Sequence, residues 1–160
     1  METSGCVEGQ SDRIFEMAVK RKKSKVSRKK SPPKRSGKVL LVEDDHILLK
    51  ALQKKLSIDG FTTYTATDGI TGLEVLEKAK PDLVVLDILL PDASGMDFLK
   101  SIDRGKHPRL KIIALTNLED EGVRRQAFGL GVDEHLIKAR VSLKELSDII
   151  EEKIRMVEEE

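Results

Sequence analysis

Leu83-Val84-Val85-Leu86-Asp87-Ile88-Leu89-Leu90-Pro91-Asp92 is the stretch that decides the fold. Apolar residues fill both faces of the segment before Asp87, and a strand apolar on both faces is one covered above and below inside a parallel sheet. The carboxylate that ends it is therefore placed, not scattered. A second apolar run, Val39-Leu40-Leu41-Val42, also ends on acid, in Glu43-Asp44-Asp45. With the two strands side by side, three or four carboxylates crowd one sheet edge, and like charges that close need a cation or a proton. Hard oxygen donors of this kind suit magnesium.

Outward from these strands, strand-like and helix-like periods alternate. Ile47, Leu48, Ala51, Leu52 and Leu56 recur at helical spacing, behind Asp44-Asp45 as an N-terminal cap and ahead of Gly60 as a stop. Residues 61–66 are rich in β-branched and aromatic types and suit an outer strand. Asp68 opens a helix to about Lys78, and Pro81 ends the link to the central strand. A helix near 94–102 carries Met96, Phe98, Leu99 and Ile102, with Asp92 and Gly95 shaping the loop before it. Residues 110–115 form a fourth strand, 120–130 a helix closed by Gly131, and 134–137 a short fifth strand. Ser142 and Glu145 make a capping box for a last helix with an apolar stripe from Leu143 to Val157.

Five strands alternating with five helices predict an α/β fold with a parallel sheet covered on both faces. Right-handed crossovers restrict the strand order, and the flavodoxin-like, doubly wound 2-1-3-4-5 arrangement is the candidate. Ligands of such sheets sit outside the carboxyl ends of the strands, at the switch point that the first and third strands flank here. Glu43, Asp44 and Asp87 are predicted to meet there.

The chain has 160 residues, enough for one ordinary domain, and its 3% aromatic content makes the core aliphatic. A net charge of +1 hides two unlike parts: residues 1–38 hold 12 Lys and Arg against 4 Asp and Glu, and the remainder holds 17 against 24. Residues 1–37 are read as a disordered basic arm and 38–160 as the folded domain. The segment Lys20–Lys38, with Pro32-Pro33, lacks base-reading structure or stacking aromatics. Any binding to nucleic acid, anionic lipid or an acidic surface through it is expected to be weak and salt-sensitive. Cys6 is the only cysteine, so no internal disulfide forms. No run approaches the roughly 20 apolar residues of a membrane span, and a cytoplasmic setting is the expectation.

Val39–Asp45 (VLLVEDD), Asp82–Gly95 (DLVVLDILLPDASG), Ile112–Thr116 (IIALT) and Gly131–Lys138 (GVDEHLIK) together resemble the receiver domain of two-component response regulators, over about residues 38–157. The resemblance implies that Asp87 is the phosphoacceptor, taking a phosphoryl group from a histidine kinase or phosphotransfer protein. Mg²⁺ would be held by Glu43, Asp44, Asp87 and the Leu89 backbone carbonyl. Thr116 would hydrogen-bond the phosphoryl group, Lys138 would pair with it, and His135 stands where the family usually has an aromatic switch residue. Physical chemistry agrees: a carboxylate attacking a phosphoryl group brings two anions together, so cations must neutralise charge while position does the rest.

Two departures stand beside the matches. Ala139 follows Lys138 where the family usually has a cis proline, and cis bonds before other residues cost about 3 kcal/mol. The isomer at that bond and the aim of Lys138 are both left open. Asn117 follows Thr116 where alanine or glycine is common, and would either narrow access to Asp87 or hold a water. Leu89 and Leu118 flank the same opening; neither can orient a water, so a long-lived phosphoryl group is expected. His46 and His107 are read as exposed and are assigned nothing.

Rival readings are weaker. A haloacid-dehalogenase-like phosphatase needs a second Asp two residues after the nucleophile, where Leu89 stands, so turnover of free substrate is not expected. A flavodoxin needs a phosphate-cradling loop where this chain has acids. A degenerate receiver that binds partners without phosphorylation is the remaining alternative. Few residues follow the last helix, so a stand-alone receiver is expected, whose output is a phosphorylation-dependent surface around the fourth helix, fifth strand and last helix. Whether it dimerises on activation is left open, as are its kinase and downstream target.

Overall fold

A computed structural model of the chain describes residues 35–91 and 94–159, and the readings made for residues 1–34 and for Asp92 lie outside it. Strands β1 (Lys38–Val42), β2 (Thr62–Ala66), β3 (Leu83–Leu86), β4 (Lys111–Thr116) and β5 (Glu134–Ile137) alternate with helices. These are α1 (His46–Asp59), α2 (Gly69–Ala79), α3 (Gly95–Ser101), α4 (Glu121–Gly129) and α5 (Leu143–Glu158). A single 3₁₀ turn, Lys138–Arg140, joins β5 to α5. Every strand pairing is parallel and the order is β2-β1-β3-β4-β5, as the sequence predicts.

The apolar run before Asp87 explains the layering. All four residues of β3 are buried, and successive side chains point to opposite faces. Val84 and Leu86 join Leu40, Val42, Ile112 and Ala114 beneath α2, α3 and α4, with Leu76 and Phe98. Leu83 and Val85 join Val39, Leu41, Ile113 and Leu115 beneath α1 and α5, with Leu52, Leu56, Leu146 and Ile150. The helices begin where short polar side chains can accept backbone N–H bonds: Asp45, Asp68, Ser94, Asp120 and Ser142 all do so. The capping box of Ser142 and Glu145 is present, and α1 stops at Gly60, whose φ of 110° suits glycine.

Two sequence readings are corrected. Ile47 is 83% exposed, while Leu49 takes its place in the core. The buried stripe of α1 runs 49, 52, 56, and the two steps from 47 to 49 turn the helix by about 200°. His107 is buried, with Nε2 3.1 Å from Oε1 of Glu77 on α2.

Arg35, which composition assigns to the basic arm, is bonded to the domain. Its backbone N–H donates to the Asp59 carbonyl at 3.1 Å and its guanidinium donates to Ser147 Oγ at 2.6 Å, with Nε 2.9 Å from Glu151. Ser147, fully buried between α1 and α5, donates its hydroxyl to the Asp59 carboxylate, which Lys55 also reaches at 2.6 Å. Burial alone would raise the Asp59 pKa, but the bonds from Lys55 and Ser147 outweigh it and hold the group below the usual range. A carboxyl with a depressed folded pKa contributes stability above its unfolded value and loses it as pH falls through the folded one. Arg35 adds a smaller share to that depression and bonds Ser147 and Glu151 as well, so Arg35→Ala is expected to lower the unfolding free energy by about 1 kcal/mol at neutral pH. The loss should shrink below about pH 4. Urea denaturation of both proteins at pH 7 and pH 3 checks this, and an unchanged difference would count against it.

Candidate functional site

The carboxyl ends of four strands assemble the site. Val42 pairs in register with Leu86, so the residues that follow them, Glu43 and Asp87, become neighbours. Thr116 ends β4 opposite Ile137, which places Lys138 next to it at the end of β5. The Asp87 N–H donates to the Val42 carbonyl at 2.9 Å and the Glu43 N–H to the Ala66 carbonyl at 3.0 Å, so sheet hydrogen bonding extends into both acids.

Lys138 Nζ lies 2.7 Å from Asp87 Oδ2 and 2.6 Å from Glu43 Oε2. The second oxygen of each carboxylate takes a backbone donor: Asp45 N–H on Glu43 Oε1 at 3.1 Å, and Leu89 N–H on Asp87 Oδ1 at 2.9 Å. Glu43 is 3% and Asp87 6% exposed, whereas Asp44 is exposed. One carboxylate oxygen from each of the three lies within 4.8 Å of the others. Three negative charges stand against the single charge of Lys138, and the excess of two fits a divalent cation with oxygen ligands. Without one, burial pushes the Glu43 carboxyl above its ordinary pKa, because the bond from Lys138 offsets desolvation only in part. For Lys138, burial acts to lower the pKa, but the bonds to Asp87 and Glu43 together raise it, so the ammonium stays charged at neutral pH. Asp45 caps α1 through the N–H groups of Ile47 and Leu48.

Thr116 is fully buried, and its Oγ1 accepts the Leu118 N–H at 3.3 Å, leaving the hydroxyl hydrogen for another acceptor. Leu89 is 55% exposed at the mouth and Leu118 half-buried. No peptide bond among the described residues is cis, so the bond from Lys138 to Ala139 is trans, and the lysine reaches Asp87 all the same. Asn117 accepts the Ala139 N–H at 3.2 Å. His135 lies apart from the carboxylates, beneath α4. Its ring centroid is 6.5 Å from that of Phe128, and its buried Nε2 has no hydrogen-bond partner among the described residues. Burial, followed by the charge of Arg124, lowers its pKa and keeps the ring neutral. The backbone donors on Glu43 and Asp87 were invisible to sequence reasoning, since any residue but proline supplies an N–H. Gly95 was assigned only to loop shape, yet its N–H donates to the Ile88 carbonyl at 2.8 Å and a Cβ there would run into the backbone of Asp87 and Ile88.

A doubly wound parallel sheet with an acidic cluster and a lysine at its switch point defines the receiver class. The sequence matches the response regulator receiver domain over residues 39–151, and the chain belongs to that family of signalling phosphoacceptors in two-component systems. Response regulator MprA of Mycobacterium ulcerans is 32% identical over 103 residues, 64% of this chain and 44% of that protein. The uncharacterized transcriptional regulatory protein YcbL of Bacillus subtilis is 36% identical over 117 residues, 72% of this chain and 50% of that protein. The chain thus spans about half the length of the curated relatives it matches. A CheY-like response regulator receiver domain protein from Methanospirillum hungatei JF-1 superposes with a TM-score of 0.72 at 26% identity, covering 76% of this chain and 96% of that one. Among the described residues no helix is long and apolar enough to cross a membrane.

Proposed function

We propose that Asp87 accepts a phosphoryl group from the phosphohistidine of a sensor kinase or phosphotransfer protein, and that the modified surface signals to a downstream protein. The observation that carries this reading is the seat of Lys138, within 2.7 Å of both Asp87 and Glu43 beside a three-carboxylate cluster. An Asp87 oxygen attacks phosphorus, the P–N bond to the imidazole breaks, and the imidazole leaves with its electron pair. Lys138 meets the negative charge gathering on the phosphoryl oxygens, and the free Thr116 hydroxyl hydrogen is the donor that turns toward the product. Glu43, Asp44, Asp87 and the Leu89 carbonyl are the residues to hold Mg²⁺, which when bound neutralises the remaining charge. The acyl phosphate brings roughly two negative charges and new acceptors to the end of β3, enough to bias the loop after Thr116 between two arrangements. With a single cysteine and a kinase as donor, the reading sets the domain in the cytoplasm.

Intact mass after incubation with acetyl phosphate and Mg²⁺ tests it. One phosphate adduct is expected on the wild type and none on Asp87→Ala, with the adduct persisting for minutes after the donor is removed, since neither Leu89 nor Leu118 can orient a water. An unmodified wild type, with a histidine kinase also tried, would favour an interaction module that works without phosphorylation.

A further inference from the structure

The two residues that depart from the family pattern beside the site are bonded to each other. Ala139 carries a backbone N–H that proline would lack, a donor that can bond a neighbouring loop instead of water. Asn117 provides it at 3.2 Å, and because a backbone N–H can only donate, the amide must present its Oδ1. That oxygen is thereby committed to the turn. A second tie joins the same two loops: Arg140 Nη2 lies 2.9 Å from Glu119 Oε2. The loop that follows Thr116 is thus fastened to the turn that carries Lys138 at two points.

Beyond the ion pairs of Lys138 itself, the turn has few local restraints. No residue of Lys138–Arg140 is buried, and no side chain caps it. Its peptide bonds are trans, so the restriction of a cis proline ring is absent. The pairing of Ile137 with Thr116 sets where the turn begins, and hydrogen bonds beyond it hold the direction in which the lysine stem leaves. We infer that Asn117 is a positioning residue for Lys138: by accepting the Ala139 N–H it aims the ammonium at Asp87 and Glu43, and it joins any movement of the Thr116 loop to the lysine. The inference rests on the reading of Lys138 as the cation that meets the phosphoryl group.

The test compares wild type, Asn117→Ala, Ala139→Pro and the double variant for the rate of phosphorylation by acetyl phosphate at saturating Mg²⁺. Asn117→Ala is expected to slow the reaction about three- to tenfold, the range of one exposed hydrogen bond. Proline restricts the residue before it, so the informative comparison is the effect of Asn117→Ala in each background, which should vanish once residue 139 has no N–H. An equal slowing in both backgrounds, or none in either, overturns the inference. A second readout is the side-chain ammonium signal of Lys138 in ¹H–¹⁵N spectra, protected from exchange by its two carboxylate partners. Its loss in Asn117→Ala with an unchanged unfolding midpoint supports positioning; a shifted midpoint with the signal retained assigns Asn117 to structure alone. That measurement needs no phosphorylation and no proline variant. It therefore decides the role of Asn117 even if wild type takes up no phosphate, a result that would instead remove the proposed function.

Discussion

Lys138→Met is expected to slow phosphorylation of Asp87 by acetyl phosphate by about a hundredfold or more, the usual cost of deleting one preorganised charge-stabilising donor. Methionine keeps most of the length of the side chain and removes its charge. The same change should unsettle the fold. Glu43 and Asp87, 3% and 6% exposed, would keep their backbone donors and lose their shared cation. Breaking a buried pair from one side typically costs about 3–5 kcal/mol, less where the orphaned group can take a proton. Glu43 can: burial already holds its pKa up against the opposing bond from Lys138, and without that bond the rise is larger. A carboxyl whose folded pKa lies above its unfolded one contributes stability in full below the unfolded value and loses it as pH rises through the folded one. In Mg²⁺-free buffer the variant should therefore be nearest to wild type in mild acid and farthest from it at and above neutral pH, as urea denaturation would show. Added Mg²⁺ should narrow the gap by mass action. A variant as stable as wild type throughout, and phosphorylated within a few-fold of its rate, would show that Lys138 carries none of the site's charge.

What could be read from sequence follows from which interactions leave a local trace. Residues apolar on both faces from Leu83 to Leu86 mark a central strand because burial acts on every position of it, and parallel register then converts sequence ends into neighbours. Glu43 and Asp87 were legible for that reason, since each closes an apolar run, whereas Thr116 and Lys138 were reached through the resemblance to receiver domains. The helix stripe of α1 was legible to within one face, since Ile47, Leu48 and Leu49 are all apolar and only the sheet beneath decides which is buried. Contacts between distant segments leave no such trace. Arg35 and Ser147 are 112 residues apart, and composition placed the arginine in a basic arm. His107 sits in a polar stretch, and only its packing against Glu77 shows that it is buried. Asn117 and Ala139 were each visible as departures, but periodicity could not pair them.

Gly95→Ala sets local propensity against packing, and packing should win. Glycine opens α3, and alanine is worth about 1 kcal/mol more than glycine inside a helix, so propensity alone predicts a more stable protein. A Cβ at this position, however, would stand 2.6 Å from Ile88 Cα and 2.7 Å from the Asp87 carbonyl oxygen, both backbone atoms that no rotamer change can move. Neither side can yield cheaply. Gly95 N–H donates to the Ile88 carbonyl at 2.8 Å, and Met96, Phe98 and Leu99 fix α3 in the core. On the other side, the Asp87 N–H is bonded to Val42 and Ile88 is buried. Overpacking of this kind costs about 1–3 kcal/mol, against a propensity gain of about 1 kcal/mol, so the expected result is a net loss of about 1 kcal/mol. Relief must come through residues 87–88, which carry the phosphoacceptor, and the folded variant should also phosphorylate at least about tenfold more slowly, as a displacement of order 1 Å does elsewhere. Ser94→Ala, one residue earlier, is the control: it removes the bond from Asp97 N–H and should cost about 1 kcal/mol, with the phosphorylation rate unchanged. If Gly95→Ala proves as stable as wild type and phosphorylates normally, α3 has room to retreat and the approach of Gly95 to the Asp87 backbone does not position the site.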